Sequence, residues 1–217
     1  MVDDRRPVGH AECALTVAKR KKDGMSFVLL VLRAVIATIF MGHGAQKVLG
    51  KFGGYGPAGT GQFFESIGLR PGKPMALAAG GNEMTSGALI GLGLATPAAA
   101  AGLMSVMETA TWTVHRPNGM WADKGGFEYP LVMTAALLTI VTAGPGSLSL
   151  DAARGRARWG IGWALGALAA ATAGSAAVIS AGQRQGPQPS APAGVEAQEA
   201  PAGAVSPVAR RDDIRRW

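Results

Sequence analysis

Residues 74–115 read PMALAAGGNEMTSGALIGLGLATPAAAAGLMSVMETATWTVH, and this stretch decides the fold. It is dominated by apolar and small residues. At ~1.5 Å per helical residue it is about twice as long as the ~30 Å hydrocarbon layer of a bilayer, too long for a single pass. Ala95, Thr96 and Pro97 mark the break, with Pro97 at a first-turn position where a missing N–H costs nothing. The stretch therefore predicts two antiparallel spans, 74–94 and 97–115.

Three further runs of similar length flank this hairpin. One runs from Met25 to Lys47, one from Phe127 to Ala143, where Gly144, Pro145 and Gly146 stop it, and one from Trp159 to Gly182 without a charge. The runs are continuous and lack the period-two alternation of membrane strands. The prediction is an all-α polytopic transmembrane helical bundle of four helices plus a fifth. It divides into a basic tail (1–24), a four-helix membrane domain (25–151), a basic loop with the fifth helix (152–182) and a disordered tail rich in Pro, Ala, Gly and Gln (183–217).

The charge distribution agrees. The chain has 217 residues with 21 Lys and Arg against 14 Asp and Glu. Ten of these charges fall within residues 1–24 and nine within 183–217, leaving the middle too sparsely charged for the surface of a soluble enzyme. Lys19 to Lys22, Arg154, Arg156 and Arg158 flank one side of the predicted spans; Lys51, Arg70, Lys73, Arg116 and Lys124 flank the other. The heavier side is cytoplasmic by the positive-inside rule, which puts the amino terminus inside and the carboxyl terminus outside. The net charge of +7 thus reports topology and not a nucleic-acid partner. No small-residue cleavage site follows the first apolar run, which argues against a removed signal peptide, and Met25 is an alternative start to Met1. Cys13 is the single cysteine, which excludes an intrachain disulfide, a Cys-x-x-Cys pair and a cysteine-held iron–sulfur cluster.

Ionisable groups within a span cost ~2.5–3.5 kcal/mol each, so Arg33, Glu83 and Glu108 demand a reason. Arg33 paired with one carboxylate is a structural ion pair that locks the bundle; the second carboxylate is then surplus and becomes a candidate proton carrier. Glu83, Glu108 and His115 are the candidate catalytic residues. A second polar set gathers at the outer half: His43 and Lys47 one turn apart on the first span, Trp112 and His115 with Glu108 on the third, then Asn118, Trp121 and Glu128 around the following loop. His43, Lys47, Trp112, Asn118, Trp121 and Glu128 are candidate ligand contacts, although Trp121 and Tyr129 equally suit interfacial anchors.

Several motifs in order resemble the DoxX family of bacterial membrane proteins. They are Gly42-His43-Gly44-Ala45-Gln46-Lys47-Val48-Leu49-Gly50, then Glu83 and Gly91-Leu92-Gly93-Leu94-Ala95-Thr96, then His115, Asn118-Gly119-Met120-Trp121, Gly126-Phe127-Glu128-Tyr129 and Gly144-Pro145-Gly146-Ser147-Leu148-Ser149-Leu150-Asp151. The resemblance covers residues 25–151. It implies a four-helix bundle in the bacterial plasma membrane, related to the small membrane subunit of thiosulfate:quinone oxidoreductase and working with a soluble or membrane redox partner. The basic extension, fifth span and outer tail depart from it.

The leading expectation is a membrane subunit that exchanges electrons with a quinone. His43 and His115 would donate to the ring carbonyls, Trp112 would stack, and Glu83 or Glu108 would relay protons. The alternative is a non-catalytic scaffold that docks a redox enzyme, its helices packed through Gly87 with Gly91 and Gly162 with Gly166. Gly53-Gly54-Tyr55-Gly56 follows a helix and not a strand, so it is no dinucleotide fingerprint. No covalent or metal cofactor is expected: zinc lacks a compact ligand set, and haem between His43 and His115 or an inverted-repeat transporter are weaker readings.

Overall fold

The computed structural model describes residues 8–156 and 159–185. The regular elements among the described residues are all helices, without a strand. Helix α1 spans Val8–Leu49, α2 Gly56–Ser66, α3 Gly72–Leu92, α4 Thr96–Ala110, α5 Glu128–Ala143, α6 Leu150–Ala153 and α7 Ile161–Arg184. Helix α4 does not stop at Ala110 but runs on through a π-helical turn, Thr111–His115, and a 3-10 turn, Arg116–Asn118. The tail 186–217, whose disorder the composition predicts, lies outside the described residues.

Helices α1, α3, α4 and α5 form the four-helix core, with α7 packed on α4 and α5 and α2 lying across α3 and α1. Ile36, Phe40, Ile90, Leu103, Met104, Leu137, Ile140 and Val141 fill its centre. Glycines set the α1–α3 spacing. A Cβ on Gly44 would stand 2.6 Å from the Gly80 carbonyl oxygen, and one on Gly87 would stand 3.3 Å from Phe40 Cβ, so the backbones approach as small-residue crossings allow.

Three features depart from the sequence reading. The basic stretch expected as a tail is helical from Val8, because Ala-, Lys- and Arg-rich sequence favours helix and no proline interrupts it. The loop 50–71 contains α2, opened by Pro57 in its first turn. Gly162 and Gly166 meet nothing within 4 Å; α7 packs instead through Ala164, Ala167, Ala171 and Ser175, a small-residue stripe at helical spacing. Its other face presents Trp163 and Leu165 outward. Among the described residues, two helices are long and apolar enough to cross a membrane, Leu15–Leu49 within α1 and Ile161–Arg184; α5 is apolar but shorter.

Candidate functional site

At the carboxyl-terminal end of α1, Lys47 and Glu83 meet across the α1–α3 seam. Lys47 Nζ donates to both carboxylate oxygens of Glu83, at 3.0 and 2.8 Å, and to the His43 carbonyl at 3.4 Å. The Glu83 side chain is 2% exposed and Lys47 20% exposed, so the pair reaches from the packed interior to the rim. The helices run antiparallel, with Gly44 opposite Met84 and Lys47 opposite Gly80. A lysine one turn beyond Gly44 therefore folds back over the glycine to reach a carboxylate on the facing helix.

His43 forms the outer wall of this pair. Its Nδ1 stands 3.0 Å from Gln46 Oε1, and Gln46 Nε2 donates to the Phe52 carbonyl at 3.1 Å, which ties the rim to the loop after α1. The His43 ring lies 6.5 Å from the Tyr129 ring, centroid to centroid, so α5 closes the other side. Glu83 is in electrostatic reach of both His43 and Tyr129. One buried carboxylate, one ammonium, one imidazole and one phenol thus converge from three helices.

The other predicted site residues go elsewhere. Glu108 faces α7, where it accepts from Thr172 Oγ1 at 3.2 Å, one residue before a Thr109–Ser175 hydroxyl contact of 3.0 Å. Trp112 is exposed and covered on one face by the Arg116 guanidinium, 4.4 Å from its centroid, a cation–π contact. His115 Nδ1 stands 2.7 Å from the Gly125 carbonyl, which Asn118 Nδ2 also reaches at 3.3 Å. Glu128 Oε2 accepts from the Ala122 N–H at 2.9 Å. His115, Asn118 and Glu128 thus clamp the loop between α4 and α5, and Trp121 projects outward from it.

Arg33 corrects the ion-pair expectation. It is 1% exposed and donates to the Pro145, Gly91 and Leu148 carbonyls, not to Glu83 or Glu108. The antiparallel register explains why: Glu83 is level with Gly44, eleven residues or ~16 Å along α1 from Arg33. Beside Arg33 sits Asp151, on the short helix α6 and outside the predicted spans. Its carboxylate accepts from Ala95 N (2.9 Å), Thr96 N (3.0 Å), Thr96 Oγ1 (2.7 Å) and Trp159 Nε1 (3.3 Å). Burial pushes the Asp151 carboxyl up, but the donors from Thr96, Ala95 and Trp159 outweigh it and hold the group below its ordinary value. The signal for Asp151 is its place at the end of the Gly144–Asp151 motif. Tyr129, read as an anchor, is the other residue that the geometry adds.

Among known proteins, residues 28–116 match the DoxX family model, from the membrane-length part of α1 through the π-helical turn after α4 to Arg116. That part of the chain is therefore similar to a DoxX domain. The chain is 28% identical over 136 residues to an uncharacterized protein of Haemophilus influenzae, an alignment that covers 59% of this chain and 83% of that one. No solved structure matches the chain. The DoxX match and the two membrane-length helices both point to a membrane protein. Lys47, Glu83, His43 and Arg33 lie within the matched residues; Tyr129 and Asp151 lie beyond them.

Proposed function

We propose that this chain is a multi-pass plasma-membrane subunit of an oxidoreductase system, that it exchanges electrons with a membrane quinone, and that the Lys47–Glu83 pair handles the accompanying protons. Quinone reduction takes up two electrons and two protons. The electrons come from a separate redox partner, since the chain has no dinucleotide fingerprint of its own. The protons need an acid–base group that is shielded from bulk water yet connected to it. The observation that carries the reading is the Lys47–Glu83 pair, with a buried carboxylate at one end and a partly exposed ammonium at the other. His43 and Tyr129 add donors for ring carbonyls at the same rim. In this reading α1, α3, α4, α5 and α7 each cross the bilayer, with the amino terminus cytoplasmic. Glu108 is then an interhelical contact and not a relay.

Titrating a water-soluble quinone analogue into nanodiscs that hold the protein, with tryptophan fluorescence as readout, tests this. Saturable quenching that weakens in Glu83→Gln and Lys47→Met supports the pocket; non-saturating quenching equal to that of a tryptophan-matched control membrane protein rejects it.

A scaffold that docks a soluble redox enzyme is the second reading. It is favoured by the number of polar groups engaged in holding loops: His115, Asn118 and Glu128 at one end, Arg33 and Asp151 at the other. A scaffold keeps its partner-dependent activity after Glu83→Gln, whereas a proton-handling subunit loses it.

A further inference from the structure

At the end of the bundle remote from Lys47, a groove of about 520 Å³ opens between the α3–α4 turn and the first turn of α7. Ala95, Pro97 and Ala98 form one wall, and Arg156, Trp159 and Trp163 the other. The two indoles meet edge to face at 5.0 Å. Trp159 is fixed from behind by its hydrogen bond to Asp151, and Trp163 is mostly exposed. Arg154 and Arg156 are both exposed, and among the described residues no carboxylate pairs with the Arg156 side chain. The one acid nearby, Asp151, is already met by four donors.

The groove's position says what fits it. Helix α7 is membrane-length and apolar from Ile161 onward. A cleft that ends in its first turn and is lined by tryptophan and arginine therefore sits at the headgroup level of a bilayer, where aromatic belts and basic side chains concentrate. We propose that this groove binds an anionic phospholipid, with the phosphate on Arg156 and the glycerol and first acyl carbons over Trp159, Trp163 and the Ala95–Ala98 wall. Charge complementarity selects the occupant: a basic, carboxylate-free rim favours phosphatidylglycerol over zwitterionic phosphatidylcholine. The inference rests on the membrane reading of the chain but not on the quinone.

The test uses the full chain with Trp112, Trp121 and Trp217 replaced by Phe, so that fluorescence reports on Trp159 and Trp163. Phosphatidylglycerol or phosphatidylcholine, brominated near the carbonyl end of its chains, is titrated into vesicles of unbrominated phosphatidylcholine. Phosphatidylglycerol should reach half-quenching at about fivefold lower mole fraction, the worth of one basic side chain at an anionic surface. Arg156→Gln should abolish the preference, Arg156→Lys should retain most of it, and Arg184→Gln at the far end of α7 should leave it intact. Equal quenching by both lipids, or a preference that survives Arg156→Gln, overturns the site. Competition by millimolar glycerol 3-phosphate overturns it too, because the occupant is then a soluble phosphate ester. No quenching by either lipid rejects the membrane reading itself.

Discussion

Glu83 is held by Lys47 from a position one helical turn past its own level, through a side chain that folds back over Gly44. Both carboxylate oxygens are within 3.0 Å of the ammonium. The pair depends on the absent Gly44 side chain, since a Cβ there would stand 2.5 Å from Met84 Cγ and 2.6 Å from the Gly80 oxygen.

Gly44→Val should therefore force α1 and α3 apart. Close small-to-large changes cost ~1–3 kcal/mol, and the thermal midpoint in detergent should drop accordingly. Gly162→Ala, which meets open space inside a helix, should instead be neutral or raise stability by up to ~1 kcal/mol.

Lys47→Met should leave a buried carboxylate without its cation and lose about 3 kcal/mol, the lower end for a broken buried pair because Lys47 is partly exposed. Adding Glu83→Gln should restore most of that loss. Denaturation of the two single variants and the double variant measures the coupling directly.

Arg33→Lys should fail as a conservative change. One ammonium cannot serve carbonyls on Gly91, Pro145 and Leu148 with the fork geometry of a guanidinium, and each buried acceptor left bare costs ~1–3 kcal/mol. A drop in thermal midpoint without loss of helix content checks this.

Asp151 makes the fold acid-sensitive. Its carboxyl sits below the ordinary value in the folded chain, so its contribution is complete above the unfolded value and is lost as pH falls through the folded one, in the range below about pH 4. Asp151→Asn should weaken the protein at neutral pH and flatten its stability profile over that range.

His115→Ala should leave the helices in place and loosen the loop they carry. Faster amide exchange at Gly125 and Gly126, with unchanged exchange in α3, is the expected pattern.

The helix ends at Pro97 and Gly144 are legible in the sequence because proline and glycine impose local geometry that no distant residue needs to confirm. The meeting of Lys47 with Glu83 is only half legible: both residues stand out, but the antiparallel register that brings them together emerges from packing at Gly44, Gly80 and Gly87. Arg33 shows the opposite case. Its charge is conspicuous while its partners are carbonyls, which every residue has and no sequence marks. Glu108 shares with Glu83 the look of an intramembrane acid, yet rotation about the α4 axis turns it to Thr172 on α7. Helix α2 hides in a Gly-rich loop with Pro57 as its main sign.

The hold of Arg33 on the turn after α5 and on the end of α3 acts as a fulcrum. Around it α1, α3 and α5 are riveted together, while some fourteen residues further along α1, a lever arm of ~21 Å, Lys47 and His43 face Tyr129 with only a ring-to-ring approach to join them. Separation of α5 from α1 and α3 should therefore be smallest at the arginine and greatest at the other rim, and tongs built this way would open between Tyr129 and the joined Lys47–Glu83 pair.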